Sequence, residues 1–129
     1  MIAARGHMGS VIKVYLLDDV AAMRLVLRTV LELEGMTVVG EAGDGSIGIG
    51  EIAELQPDVV VLDLSMPGLD GLEAIPLIHE RAPDAEIVVF SGYPRAQMAE
   101  PALSLKAARY VEKGEPLGHV VEAVQDLAA

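Results

Sequence analysis

The sequence predicts an α/β fold in which a doubly wound, five-stranded parallel sheet carries helices on both faces. From Val11 onward, short runs rich in Val and Ile alternate with longer segments of helical spacing. The run Val59-Val60-Val61-Leu62 is apolar without interruption, as a central strand covered on both faces requires. The length agrees, since 129 residues is near the commonest size of one domain and 52% of them are hydrophobic.

The first strand is placed at Val11 to Leu17. A helix follows from Asp19, burying Val20, Met23, Leu27, Val30 and Leu31 and stopping at Gly35. The second strand is Thr37 to Glu41. Its helix is weakened by Gly48 and Gly50, each costing roughly 1 kcal/mol relative to Ala. After the third strand, Val59 to Leu62, the spacing of Asp70 and Glu73 suggests a capping box on a helix that turns Leu72, Ile75 and Ile78 inward. Pro76 is expected to remove one backbone bond there and kink the helix. The fourth strand is Ile87 to Phe90, and Pro101 predicts a fourth helix that is short or broken. The fifth strand is Arg109 to Val111. A last helix shows one apolar stripe of Leu117, Val120, Val121, Val124 and Leu127, opposite Glu122 and Gln125.

Lys and Arg number 9 against 20 Asp and Glu, a formal charge of -11 that repels DNA phosphates and anionic lipid, so neither nucleic acid nor membrane is an expected partner. No apolar run approaches the ~18 residues of a membrane helix. The absence of cysteine removes disulfides, thiol catalysis and structural zinc, and fits a reducing compartment; a cytoplasmic location is expected. Met1 to Ser10 reads as an expression remnant, leaving one domain over residues 11–129.

In a doubly wound sheet, ligands sit at the carboxyl ends of the strands where the strand order reverses, which in the order 2-1-3-4-5 lies between strands 1 and 3. Asp18 and Asp19 directly follow strand 1, and Asp63 directly follows strand 3. Two unit charges ~4 Å apart repel by about 4 kcal/mol at an effective dielectric near 20, so converging acids raise one another's pKa or share a cation. Oxygen donors of this kind suit Mg2+. Taken singly, Asp19 is equally well a helix cap and Asp63 a strand end; three acids from distant positions favour the metal. Ser91 and Lys113 follow strands 4 and 5 and bring a hydroxyl and a fixed positive charge to the same edge, a set suited to phosphoryl oxygens. Alone, Ser91 is a loop residue beside Gly92 and Lys113 a surface charge before Gly114. His79 and His119 lack ligand spacing and read as packed or solvated, and Met23, Met36, Met66 and Met98 as packing or loop residues.

With these residues in view, Val11 to Ala129 resembles the receiver domain of two-component response regulators. The resemblance is carried by Leu16-Leu17-Asp18-Asp19, by Val60 to Gly71 including Asp63-Leu64-Ser65-Met66-Pro67-Gly68, by Ser91-Gly92, and by Tyr110-Val111-Glu112-Lys113-Gly114. The flavodoxin-like strand order 2-1-3-4-5 is the family's own and rests partly on this resemblance. Val39-Gly40-Glu41-Ala42-Gly43-Asp44-Gly45 further resembles receivers of transcription regulators with a C-terminal helix-turn-helix DNA-binding domain, a domain not expected within these 129 residues.

The resemblance implies a phosphorylation-controlled switch. Asp63 would accept a phosphoryl group from a partner sensor histidine kinase or phosphotransfer protein, or from acetyl phosphate, with Lys113 and Ser91 assisting. It implies Mg2+ held by Asp19, Asp63 and the backbone carbonyl of Ser65, with Asp18 holding a metal-bound water. Ser91 and Tyr110 would relay the change, Tyr110 turning from exposed to buried, to the face of the fourth helix, fifth strand and fifth helix, where a partner or a second copy, as a homodimer, would dock. Such a chain catalyses its own phosphorylation and dephosphorylation and is not a turnover enzyme. Gly48, Gly50, Pro76 and Pro101 depart from the family's helix formers and bear on the shape of helices two to four. Two alternatives compete: a pseudo-receiver that binds partners without phosphorylation, and a Mg2+-dependent phosphatase of the haloacid dehalogenase type. The latter typically carries its two acids after the first strand with one residue between them, whereas here the acids are adjacent and the matching loop follows strand 3.

Overall fold

A computed structural model describes residues 11–128; the reading of Met1 to Ser10 as an expression remnant lies outside the described residues. Five strands, β1 (Lys13–Leu17), β2 (Thr37–Ala42), β3 (Val59–Leu62), β4 (Glu86–Ser91) and β5 (Arg109–Glu112), pair in parallel in the order β2-β1-β3-β4-β5. Every strand matches its predicted position to within two residues at each end.

Alternate side chains of these strands feed two separate cores. Tyr15, Leu17, Val60, Leu62, Ile87 and Val89 pack under α2 (Gly45–Leu55), α3 (Gly71–Arg81) and α4 (Arg95–Ser104), while Val14, Leu16, Val59, Val61, Val88 and Phe90 pack under α1 (Ala21–Leu33) and α5 (Gly118–Ala128). The uninterrupted apolar run of β3 is explained by burial on both faces. Among the described residues no helix is long and apolar enough to cross a membrane.

Several local expectations need correction. The first helix begins at Ala21, and Val20 stands before its first turn, exposed at the crevice rim rather than buried over the sheet. Leu27 and Leu31 are fully buried, whereas Met23 and Val30 pack at the core margin. Gly35 does stop α1, with φ +87° and the Met36 N–H returning to the Leu31 carbonyl. At α3 the Asp70 carboxylate accepts from Leu72 N–H at 2.9 Å, a simple cap rather than the Glu73 N–H bond of a capping box. The fourth helix is the shortest of the five, as Pro101 predicts, but it is not broken. It runs for 10 residues across Pro101, as α3 runs for 11 across Pro76, and both prolines lie on exposed faces where water can serve the carbonyl that loses its donor.

Glycines set how closely α2 and α3 approach the strand ends. A Cβ on Gly71 would lie 2.3 Å from Leu64 Cα, so α3 starts directly against the backbone that follows Asp63. Within α2, Gly48 and Gly50 differ sharply. A Cβ on Gly48 would meet Leu17 Cδ1 at 2.4 Å, whereas one on Gly50 would meet nothing within 4 Å. Leu17 is fully buried and has no room to yield. Gly50→Ala is therefore expected to stabilise the protein by about 1 kcal/mol in urea unfolding, through helix propensity alone. Gly48→Ala should destabilise it by roughly 1–3 kcal/mol through overpacking. Equal effects of the two substitutions would show that α2 does not sit on Leu17 in this way.

Candidate functional site

The register of the sheet builds the site. Leu17 of β1 pairs with Leu62 of β3, so Asp18 and Asp63 leave the sheet side by side, and the Asp63 N–H donates to the Leu17 carbonyl at 2.9 Å. Across the sheet, Lys113 leaves β5 with its N–H on the Ser91 carbonyl at 2.7 Å. The crevice predicted from strand order is thus where the structure places Asp18, Asp19, Asp63, Ser91 and Lys113.

Asp18 and Asp63 are almost completely buried, at 2% and 1% exposure, while Asp19 stands exposed at the mouth. Lys113 Nζ lies 3.0 Å from Asp18 Oδ2 and 3.3 Å from Asp63 Oδ2. The other oxygens are held locally: Asp18 Oδ1 accepts from Val20 N–H at 2.9 Å, and Asp63 Oδ1 accepts from both the N–H and the hydroxyl of Ser65 at 3.1 Å. It is Asp18, not Asp19, that engages the backbone entering α1. One carboxylate oxygen from each of Asp18, Asp19 and Asp63 falls within a 4.8 Å span. Three carboxylates against one ammonium leave an excess of negative charge, and the all-oxygen donor set fits a hard divalent cation such as Mg2+.

Burial pushes the Asp18 carboxyl above its ordinary value; the Val20 N–H and Lys113 oppose this, and the charge of Asp63 adds to the rise. For Lys113, burial alone favours the neutral amine, but Asp18 and Asp63 together outweigh it and hold the ammonium charged.

Ser91 is fully buried at the end of β4, its hydroxyl oxygen accepting from Tyr93 N–H at 3.1 Å. Tyr110 does not start exposed, contrary to expectation: it is 4% exposed, because its ring joins the core under α4 and its hydroxyl donates to the Tyr93 carbonyl at 2.7 Å. Burial raises its phenol pKa, which a hydrogen bond with Ser91 opposes. Ser91, Tyr93 and Tyr110 are therefore linked by hydrogen bonds.

Beyond the carbonyl that the resemblance implies, Ser65 also brings its hydroxyl to Asp63. One residue is not signalled by the motifs. Arg24, one turn into α1, donates from Nη1 to the Asp18 carbonyl at 2.6 Å. The only sequence signal for it is Glu41, its ion-pair partner, inside the Val39 to Gly45 segment. His79 and His119 bond to the Lys106 carbonyl and to Glu115, outside the acidic cluster. Beside Asp19 opens a cavity of about 670 Å³ lined in part by Ser65, Met66, Pro67, Tyr93 and Met98, which gives the cluster access to solvent.

Residues 14–125 match the family model described as response regulator receiver domain. The chain is 33% identical over 116 residues to the chemotaxis protein CheY of Thermotoga maritima, covering 90% of this chain and 97% of that protein. It is 35% identical over 117 residues to the virulence transcription regulator BvgA of Bordetella pertussis, covering 91% of this chain but only 56% of the regulator. Among solved structures, a LuxR-family two-component response regulator from Aurantimonas sp. SI85-9A1 superposes with a TM-score of 0.86 at 31% identity, covering 92% of this chain and 86% of that one.

The electrostatics of Asp18 yield a stability prediction. Because its folded-state pKa is raised, its contribution favours the fold below the ordinary value of 3.8 and is lost as pH rises through the folded value. Asp18→Asn keeps an acceptor for Val20 N–H and removes the charge. Without divalent ions the variant is expected to be more stable at neutral pH by on the order of 1 kcal/mol. The gap should close as pH falls below 3.8. A variant less stable than the parent at neutral pH would show that the Lys113 pair outweighs the burial of Asp18.

Proposed function

The chain belongs to the response regulator receiver domain family, and from that premise we propose that Asp63 is the carboxylate that takes up the phosphoryl group. The observation that carries this is the orientation of Asp63: Oδ1 is held by Ser65 and Oδ2 faces Lys113 Nζ at 3.3 Å, in a crevice shared with Asp18 and Asp19. A carboxylate oxygen attacks phosphorus, a new O–P bond forms, and the bond to the donor breaks. The donor leaves as the partner's histidine, or as acetate when acetyl phosphate serves.

Lys113 offsets the charge on the transferred oxygens, and its two carboxylate contacts keep it protonated for that role. Asp19, Asp63 and the Ser65 backbone carbonyl would hold Mg2+, with Asp18 acting through water. When bound, the ion supplies the neutralising charge that lets an anionic carboxylate meet an anionic phosphoryl group. Ser91 donates its hydroxyl to a phosphoryl oxygen, which requires its links to Tyr93 and Tyr110 to rearrange. The change thereby reaches the face of α4, β5 and α5, where a homodimer forms. Receiver domains are in general signalling switches rather than turnover enzymes. A histidine kinase or phosphotransfer protein is the partner, the cytoplasm the location, and direct nucleic-acid or membrane binding by this chain is disfavoured by its charge of -11. The chain spans little more than half of BvgA, so any transcriptional output of a longer protein is part of this proposal.

Incubation with acetyl phosphate and Mg2+ followed by intact-mass measurement is expected to show one added phosphoryl group, absent in Asp63→Asn and in excess chelator. Asp63→Asn labelled as fast as the parent overturns the assignment, and a chain that takes no phosphoryl group at all is a pseudo-receiver. Beryllofluoride, a mimic of the aspartyl phosphate, should shift amide signals at Ser91, Tyr110 and α4. Shifts confined to the neighbourhood of Asp63 would exclude the Ser91–Tyr110 relay.

A further inference from the structure

The Val39 to Gly45 segment completes β2 and caps α2 through Asp44, and its Glu41 also lies against the acidic pair through α1. Glu41 pairs in register with Leu16 of β1 and carries its carboxylate to α1, where it takes Arg24 Nε at 2.7 Å on one oxygen and Arg28 on the other. The two guanidiniums hold the Glu41 carboxyl below its ordinary value, so the clamp stays charged. Arg24 in turn donates Nη1 to the Asp18 carbonyl at 2.6 Å, and the Asp18 N–H donates to the Ala42 carbonyl at 3.1 Å. Both peptide groups flanking Asp18 are thereby fixed from β2 and α1. Gly43 makes room for this, since a Cβ there would stand 3.0 Å from Arg24 Nη1 and 3.5 Å from Asp19 Cα.

We propose that Arg24, clamped by Glu41, is a positioning residue that fixes the Asp18–Asp19 peptide and so aims the exposed Asp19 carboxylate into the cation cluster. This rests on the reading of Asp18, Asp19 and Asp63 as a divalent-cation site. Asp18 and Asp63 are held by burial and by Lys113, whereas Asp19 is exposed and depends on its backbone for direction. The forked guanidinium meets two acceptors at once, Glu41 and the Asp18 carbonyl, which a lysine ammonium on its flexible stem does not reproduce.

For Arg24→Met, charge and positioning give opposite signs. Removing a positive charge beside three acids strengthens cation binding by Coulomb's law alone, whereas a freed Asp18–Asp19 peptide weakens it. The test titrates Mn2+ into the metal-free chain, following the free-ion resonance with Mg2+ as competitor, for the parent, Arg24→Met, Arg24→Lys and Glu41→Gln. Circular dichroism establishes that each variant is folded at the assay temperature. Arg24→Met is expected to bind Mn2+ about 10-fold more weakly, and Arg24→Lys, with the charge retained, also more weakly than the parent. Should Arg24→Met not fold, Arg24→Lys, which leaves the charge unchanged, carries the test. Variants that bind as tightly as the parent, or more tightly, overturn the inference while leaving the cation site standing. A parent chain that binds neither ion overturns the cation reading and this inference with it.

Discussion

Two nearly buried carboxylates, Asp18 and Asp63, share a single ammonium, and much of the molecule serves to make that arrangement tenable. Lys113 sits 3.0 and 3.3 Å from them and cannot neutralise both, the less so with Asp19 alongside. Such a centre is costly for folding, because buried charge without full compensation destabilises the native state. It suits a site whose missing charge is supplied by a ligand. The imbalance comes directly from the sheet: parallel register places the ends of β1 and β3 side by side, and the acids follow those ends without a spacer.

Close backbone approach is the second constraint. Glycines stand where loops and helices press on the strand ends: Gly43 against Arg24 and Asp19, Gly45 against Leu69, and Gly71 against Leu64. Leu64 and Leu69 both belong to the stretch after Asp63, so α2 and α3 confine the loop that carries Ser65. The surrounding backbone is thus held from several directions, while the 670 Å³ cavity beside Asp19 keeps the cluster open to solvent.

The face of α4 and β5 is built differently. Ala102 is the buried residue of α4, and Pro101 interrupts its hydrogen-bond ladder, so apolar burial ties this helix down weakly. Polar contacts supplement it: the Arg95 N–H donates to Glu112 at 2.8 Å, the Arg95 guanidinium reaches Glu115 at 3.0 Å, and that guanidinium stands 5.8 Å over the Tyr110 ring. A lightly anchored helix joined to the crevice through Ser91, Tyr93 and Tyr110 is the kind of element whose position a local change can bias.

Much of this was legible in the residues themselves. The periodicity of Val and Ile runs determined five strands and their burial, and the placement of Asp18, Asp19, Asp63, Ser91 and Lys113 just after strand ends determined their convergence, because in a parallel sheet all strand ends of one kind lie on one edge. The strand order itself came partly through resemblance to the family. What only the tertiary structure decided were relations between side chains far apart in sequence. Arg24 met the Asp18 carbonyl only once β2 had brought Glu41 beside α1, and Gly48 proved necessary only where Leu17 lay beneath it. Tyr110 was buried because Tyr93 offered its hydroxyl an acceptor, and Pro101 did not break α4 because it faced water. Periodicity reports which face of an element is apolar; it carries no record of which atom on another element will stand opposite a given polar group, and that is settled only when the elements pack.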